Sequence, residues 1–526
     1  MPSRSGATPL KRRVLPILLA PLLFTACSEG LDPKPDAAAP SAAPAEAALD
    51  VAGLDVPSLL ALQTGGEASA LDIVDAVTRD VAARDAGYRA VITMNEAAGS
   101  AASALDARRA EGEIVGPLHG VPVMVKDNLE TLDMATTAGS LALVGNRTGR
   151  DAPVVARLRE AGAVIVGKTN LSEWANFRSE RSSSGWSGVG GQTRNAVDPS
   201  RTPCGSSSGS GVAVALGYVP LAIGTETNGS VICPSAVNGI VGFKPTIGAV
   251  PQDGIVPIAH TQDTAGPMAA TVADAALGFA VIAEMPAESV VAQVREGSLV
   301  GMRLGVVRSA TGYHEGVDEL FEAVLADLAD AGAILVDDLA LETHEGFGAD
   351  SYDVLLYEFR TDLDAWFASL DTPAPVVGLD ALIEFNREHA ERSMPFFRQE
   401  IFEAAAAKGP LTDAAYREAL GRIRRTTREE GVDRLLSEHR LDALIAPSYG
   451  PAWTIDLVNG DHFGGGFSTF AAVGGYPHLT VPMGTLHGLP IGLSFVGARD
   501  GDVPVLALGH AFEATGIRHA VGAPLP

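Results

Sequence analysis

Two short clusters of serine and glycine carry the residues of this chain that are best suited to chemistry. Ser206, Ser207 and Ser208 lie in the first cluster, and Ser230 lies in the second. The segment between the clusters, VAVALGYVPLAIG, is almost entirely apolar. A serine hydroxyl attacks a carbonyl carbon only when a neighbouring base takes its proton. The pattern therefore indicates acyl-transfer chemistry if the chain also supplies such a base.

The first cluster is open to other interpretations. Residues 205–209, GSSSG, match the G-x-S-x-G pattern of a nucleophile elbow. The preceding residues, DPSRTPC, contain two prolines and are unlike the buried strand that an elbow requires. A glycine-rich phosphate cradle is a second interpretation, but the G-K-[ST] ending of a P-loop is missing. A serine-rich surface turn would explain one cluster and not the pair.

Lys126 is the candidate base. It follows an apolar run, VPVMV, at residues 121–125. A lysine that is desolvated in an apolar site can be neutral near pH 7 and can then accept a proton. On its local context alone, however, an exposed lysine at the end of a strand is the commoner outcome.

The elements that must position these residues alternate between apolar strands and helical patterns. Strands are predicted at residues 121–125, in VPLAIGT and GIVGFKPT, and later in RLGVV, DALIAP, HLTVPMG and IGLSFVG. Helices are predicted between them, notably over 316–332, 394–407 and 411–439. Alternating strands and helices favour an α/β fold whose sheet is covered on both faces. Residues 51–526 are interpreted as one catalytic domain with a mostly helical region at 310–440.

Four stretches resemble the amidase signature family: GPLHGVPVMVKDNL (116–129), PCGSSSGSGVAVA (203–215), PLAIGTETNGSVICPSAVNGIVGFKPT (220–246) and GIVPIAHTQDTAGPMAATVADAA (254–276). They occur in the family's order, and weaker similarity extends over most of residues 51–520. The resemblance implies the amidase signature fold, with a central mixed β-sheet covered by helices on both faces. It also implies an amidase that uses no metal and no other cofactor.

The resemblance implies a Ser-Ser-Lys triad. Lys126 matches the family's catalytic lysine, Ser206 matches the bridging serine that follows a cis peptide bond, and Ser230 matches the nucleophile. Protons would pass from Ser230 to Ser206 and from Ser206 to neutral Lys126, while Ser230 attacks the amide carbonyl. Water would then hydrolyse the acyl-enzyme.

The same resemblance assigns the oxyanion hole to the backbone N–H groups of Thr227, Asn228, Gly229 and Ser230. Ser207 and Thr225 match supporting positions, for which local capping of turns is an equally open role. The sequence departs from the family's usual residues at four positions, where it has Cys204, Ser208, Glu226 and Ile232.

The segments at 382–400 and 450–484 look most like the peptide amidase branch of the family, which removes the amide from peptide C-termini. Asp456, Asn459 and Phe463 are candidate substrate contacts, with loop packing as the alternative role. Other small, aryl or fatty-acyl amides remain alternative substrates. The amidotransferases that act on aminoacyl-tRNA share the signature, and a binding lipoprotein without catalysis is the non-enzymatic alternative.

The composition narrows the range of partners. A formal net charge of −26 disfavours nucleic-acid binding, which needs basic surface. The 11 histidines form no recognisable metal motif. The expected partner is therefore a small amide or peptide-amide substrate, and the sequence does not indicate an oligomeric state.

The N-terminus predicts export. Basic residues precede an apolar run at 14–24, and Ala26 stands directly before Cys27, as in a bacterial lipobox. We expect residues 1–27 to end in the lipidated Cys27 and residues 28–50, rich in Ala and Pro, to form a tether. The resemblance to Gram-negative lipoproteins implies an outer-membrane protein that faces the periplasm and contacts the membrane only through this anchor.

Two further cysteines, Cys204 and Cys233, flank the two serine clusters. In an oxidising compartment they could form a disulfide, or they could be two buried thiols. The sequence leaves both states open.

Overall fold

Residues 49–525 are described by a computed structural model; the predicted lipobox Cys27 and most of the predicted tether lie outside this range. The described chain contains 14 strands. They are β1 (Val91–Met94), β2 (Pro122–Lys126), β3 (Val164–Thr169), β4 (Trp186–Ser187), β5 (Gly191–Gln192), β6 (Leu221–Glu226), β7 (Val241–Lys244), β8 (Thr264–Ala269), β9 (Arg303–Val307), β10 (Ile334–Leu339), β11 (Ala443–Pro447), β12 (His478–Leu486), β13 (Leu489–Val496) and β14 (His519–Val521).

Twelve of these strands form one mixed sheet, in the order β1-β3-β2-β6-β8-β7-β12-β13-β11-β9-β10, with β14 paired to β12. The strand β2 lies between β3 and β6 and is parallel to both. From β6 to β11 the neighbours are antiparallel, and β11, β9 and β10 are again parallel. Strands β4 and β5 form a separate two-stranded ribbon.

Helices surround the sheet. They are α1 (Val56–Gly65), α2 (Ala70–Arg84), α3 (Ala98–Ala110), α4 (Pro153–Glu160), α5 (Ser208–Ala215), α6 (Ile232–Asn238), α7 (Val272–Ile282), α8 (Ala287–Arg295), α9 (Glu315–Asp330), α10 (Phe347–Ser369), α11 (Leu379–Glu388), α12 (Ala390–Ser393), α13 (Glu400–Ala406), α14 (Ala414–Thr427), α15 (Asp433–His439), α16 (Thr469–Gly474) and α17 (Asp502–Ala514). Among residues 49–525, no helix combines the length and apolarity needed to cross a bilayer.

The central strands are buried on both faces. Every residue of β2, β3 and β6 is buried, although successive side chains of a strand point to opposite sides of the sheet. Full burial therefore means that helices cover both faces, which confirms the predicted fold class. The apolar side chains of 121–125 and of the run between the serine clusters form part of this core.

The predicted strands are confirmed, and two predicted helices are wrong in extent. In 394–407 only α13 is helical. In 411–439 the helix is interrupted at residues 428–432, where Gly431 has φ −108° and ψ −108°. An added Cβ at Gly431 would collide with the carbonyl of Thr426, so the chain makes a close approach there that periodicity alone does not reveal.

Candidate active site

Lys126 is the last residue of β2 and is completely buried. Its Nζ donates hydrogen bonds to the Ser206 hydroxyl oxygen (2.7 Å), to Thr225 Oγ1 (2.8 Å) and to the Thr225 carbonyl oxygen (3.2 Å). Burial lowers the pKa of Lys126 to about 7, and the negative charges of Asp263 and Glu226 only partly oppose this effect. The ammonium and the free amine are therefore both accessible near neutral pH, and the free amine can act as a base.

Ser206 lies in the loop that leads into α5. The peptide bond between Gly205 and Ser206 is cis, as the family resemblance implied, and Ser206 is fully buried. Its carbonyl oxygen accepts a hydrogen bond from the N–H of Ser172 (3.1 Å). The loop thereby places the Ser206 hydroxyl on the amine of Lys126, which is 80 residues away in the sequence.

The two serine clusters are joined to each other. The N–H of Ser207 donates to the Ser230 carbonyl oxygen (3.1 Å). The Ser207 hydroxyl accepts from the N–H of Thr225 (3.1 Å) and donates to its carbonyl oxygen (3.0 Å). Ser207 and Thr225 thus brace the loop of Ser206 against the end of β6.

A covalent bond reinforces this connection. Cys204 and Cys233 form a disulfide with their Cα atoms 5.9 Å apart. Of the two states that the sequence leaves open, the structure therefore has the bridge, which ties the loop before Ser206 to α6, just beyond the turn that holds Ser230.

Ser230 lies in the turn between β6 and α6 and retains 8% of its exposure. Gly229, directly before it, has φ +79°, a conformation that L side chains rarely adopt. An added Cβ there would also collide with the hydroxyl of Tyr449. Both the turn and the close approach therefore require glycine at this position.

The turn carries four backbone N–H groups, those of residues 227–230, that have no hydrogen-bond acceptor anywhere within 49–525. Backbone donors are almost always paired when they are buried, so a run of open donors beside a serine is unusual. Such a run is the arrangement that stabilises an oxyanion. The geometry is compatible with the predicted oxyanion hole.

Glu226 and Asp263 hold this turn from outside, and the sequence analysis gave neither a role. Glu226 Oε2 accepts from the N–H groups of Val231 (2.8 Å) and Ile232 (3.0 Å). Asp263 Oδ1 accepts from the Thr227 hydroxyl (2.6 Å). Burial raises the pKa of Asp263 to about 6. The only sequence signal for these two residues was their place within the family-like stretches.

A pocket of about 240 Å³ opens beside these loops. Its wall on the catalytic side contains Gly205, Asn228, Gly229 and the disulfide. The remaining wall is formed by polar and aromatic side chains, namely Asn176, Ser184, Tyr449, Trp453, Asp461 and Phe463. The position of this pocket next to Gly229 makes it the natural place for a substrate.

The three candidate substrate contacts differ in their positions. Phe463 lines the pocket and packs edge-on against Tyr449, with ring centroids 5.6 Å apart. Asp456 and Asn459 are not among the lining residues. They bond to each other in an exposed turn, where Asn459 Nδ2 donates to Asp456 Oδ2 (2.7 Å). Asp461, in the same segment, reaches the pocket although the sequence analysis did not single it out.

One group within the described residues has the spacing of metal ligands. His260, Glu358 and Asp362 bring potential ligand atoms within 4.8 Å of one another. These atoms already have protein partners, because Asp362 binds the His260 ring and Glu358 accepts from Thr261 and Tyr416. The cluster acts as a polar network beneath α10.

Comparison with known proteins identifies the class to which this fold and site belong. The family model described as Amidase matches residues 72–506. The chain belongs to the amidase family, bears its amidase signature, and is an amide-hydrolysing enzyme.

Particular members of the family resemble the chain over most of its length. Native peptide amidase from Stenotrophomonas maltophilia is 43% identical, with a TM-score of 0.83, and the match covers 88% of this chain and 97% of that one. An amidase family protein from Bacillus anthracis str. Ames is 32% identical, with a TM-score of 0.78 and coverage of 88% and 91%. A chain of the glutamyl-tRNA(Gln) amidotransferase of Symbiobacterium thermophilum is 35% identical, with coverage of 89% and 97%.

Proposed function

We propose that the enzyme hydrolyses amides through an acyl-enzyme on Ser230, with Ser206 as the proton relay and Lys126 as the base. The observation that carries the proposal is the buried Lys126 amine, hydrogen-bonded to Ser206 and with a pKa lowered by burial to about 7. A lysine with an ordinary pKa would be protonated at neutral pH and could not accept a proton.

The proposed reaction has two halves. In the first, Ser230 Oγ attacks the amide carbon as its proton passes to Ser206, while Ser206 passes its own proton to Lys126. The open N–H groups of residues 227–230 stabilise the negative oxygen of the tetrahedral intermediate. The relay then returns a proton to the departing nitrogen, which leaves as ammonia or an amine.

In the second half, water attacks the acyl-enzyme. The same relay takes a proton from the water and returns one to Ser230 Oγ as the ester bond breaks. The products are a carboxylic acid and free enzyme, and no other reactant is consumed.

The substrate that we propose is a peptide with a C-terminal amide, which would release ammonia. Similarity to the peptide amidase from Stenotrophomonas maltophilia supports this choice, as does a pocket whose aromatic and polar side chains suit a short peptide. The tRNA-linked reaction named for the amidotransferase relative is disfavoured by the net charge of −26. Other small, aryl or fatty-acyl amides are the alternative substrates.

The test is ammonia release from C-terminally amidated dipeptides and tripeptides by the purified enzyme and by its Ser230→Ala variant. We expect release by the wild type and a loss of several orders of magnitude in the variant. Equal release by both proteins would exclude Ser230 as the nucleophile. Labelling of wild-type Ser230 by a serine-directed covalent probe without ammonia release would instead retain the nucleophile and exclude peptide amides.

We also propose that the protein is exported and anchored through Cys27, which lies outside the described residues. The basic, apolar and lipobox-like segments of residues 1–27 support this proposal. Metabolic labelling with palmitate should mark the wild type and not a Cys27→Ser variant. Labelling of neither protein would contradict lipidation.

A further inference from the structure

Asp461 places a carboxylate in the wall of the substrate pocket. Its oxygens accept hydrogen bonds from the Ser184 N–H (3.0 Å), the Ser184 hydroxyl (2.6 Å) and Trp453 Nε1 (3.1 Å). All three donors are neutral. A carboxylate offers about four acceptor positions, so these donors hold Asp461 in place and leave it able to accept one more bond.

The negative charge of Asp461 has no partner within the protein. Among residues 49–525, no lysine or arginine forms an ion pair with it. The neighbouring His462 is exposed, and its ring faces Asp456 at 3.4 Å instead. Burial raises the pKa of Asp461, which means that the charged carboxylate is held in an unfavourable environment. A bound cation would relieve that cost.

The pocket connects this carboxylate with the reacting atoms. Asp461 and Gly229 line the same space of about 240 Å³, and Gly229 precedes the proposed nucleophile. Apart from the hydroxyl of Tyr449, Asp461 is the only ionisable group among the lining residues. A substrate whose amide lies at Ser230 therefore meets one fixed charge, and that charge is negative.

We propose that Asp461 is a specificity-determining residue that binds an ammonium group of the substrate. This inference rests on the proposed function, and it narrows the substrates to short peptide amides that carry a positive charge. The shared chemistry is a primary ammonium, supplied either by the free N-terminus of the peptide or by a lysine side chain.

The experiment uses three amides: Ala-Phe-NH2, N-acetyl-Ala-Phe-NH2 and N-acetyl-Lys-Phe-NH2. Their binding is measured by calorimetry to Ser230→Ala protein, which cannot turn them over, with and without Asp461→Asn. Asparagine keeps the size of the side chain and an oxygen for Ser184 while removing the charge. We expect at least one cationic amide to lose affinity at least about tenfold on Asp461→Asn, and the neutral amide to change less than about twofold.

The pattern of losses identifies the source of the ammonium. A loss for Ala-Phe-NH2 alone assigns the site to the peptide N-terminus, and a loss for N-acetyl-Lys-Phe-NH2 alone assigns it to a side chain. Comparing the same ligands on both proteins removes the effect of the acetyl group's bulk.

Asp198→Asn is the matched control. Asp198 also accepts hydrogen bonds from the N–H (2.9 Å) and hydroxyl (2.7 Å) of a serine, Ser200, but it does not line the pocket. We expect this variant to bind all three amides as its parent does.

Two results would overturn the inference. Equal losses for all three amides would show that Asp461 only supports the loop, and unchanged affinities would show that it meets no cation. Failure of the proposed function is a different observation, because it appears as absence of ammonia release by the wild type with its serine intact.

Discussion

Replacing Lys126 with methionine should change how the stability of the enzyme depends on pH. Methionine has a similar length and no titratable group, so the variant removes the titration while largely filling the space. Lys126 has a pKa of about 7 in the folded protein, and the ordinary value of 10.5 applies when the chain unfolds. Between these two pH values the unfolded chain binds more protons, so the free energy of unfolding rises with pH.

The size of the effect follows from the two pKa values. They differ by 10.5 − 7 = 3.5, and each pKa unit corresponds to about 1.4 kcal/mol, so the full rise is about 5 kcal/mol. Between pH 7 and pH 9 the expected rise from Lys126 is about 2 kcal/mol, because half of the amine is already neutral at pH 7. Below pH 7 this contribution is constant, since Lys126 is protonated in both states.

The assay is urea unfolding at pH 7 and pH 9, followed by tryptophan fluorescence, for the wild type and for Lys126→Met. Other groups titrate in this range, including Lys244 with a pKa of about 8. They are present in both proteins and cancel when one pH dependence is subtracted from the other. The wild type should gain about 2 kcal/mol more than the variant between the two pH values.

Parallel pH dependences would refute this reasoning. They would mean that Lys126 titrates alike in the folded and unfolded chains, and the amine would then be protonated at neutral pH. The proposed relay would lose its base. Lower stability of the variant at both pH values would not count against the argument, because the Ser206 and Thr225 oxygens lose a donor whatever the pH.

The remaining predictions concern the pH profile and the disulfide. For the wild type, kcat/KM should rise with an apparent pKa near 7 and level off above it, because only neutral Lys126 accepts a proton. Glu226→Gln should move this profile to lower pH, since its charge favours protonated Lys126 while a glutamine oxygen can still accept from the turn that follows Ser230. An unmoved profile would contradict that role for Glu226. Replacing both Cys204 and Cys233 with serine should lower the free energy of unfolding by about 3 to 4 kcal/mol, because the bridge spans 29 residues. Urea unfolding without reductant measures this loss, and wild-type stability in the variant would contradict it.

Local sequence patterns predicted much of the frame that supports the site. The apolar run before Lys126 is a buried strand, and the apolar segment between the serine clusters is a helix followed by a strand. These elements were predictable because burial of apolar side chains leaves a periodic pattern in the sequence. The predictions over 394–407 and 411–439 were less accurate, because the interruption at Gly431 arises from a close contact with neighbouring chain.

The candidate site was accessible to sequence reasoning only through resemblance. From its own context, Lys126 looked like an exposed residue at a strand end, whereas the structure buries it completely. The link between Cys204 and Cys233 could not be decided either, since it depends on a distance between two loops. Asp461 escaped notice because nothing near it in the sequence marks the pocket that it faces.

By itself, the sequence determined which side chains carry hydroxyl, amine and carboxylate groups, which segments must be buried, and which family the chain resembles. The tertiary structure alone decided the environment of each group. It brings Lys126 within 2.7 Å of Ser206 across 80 residues, and it directs Asp461 into the pocket beside Gly229. Reactivity depends on that environment, because desolvation and neighbouring charges set a pKa, and both come from residues distant in the chain.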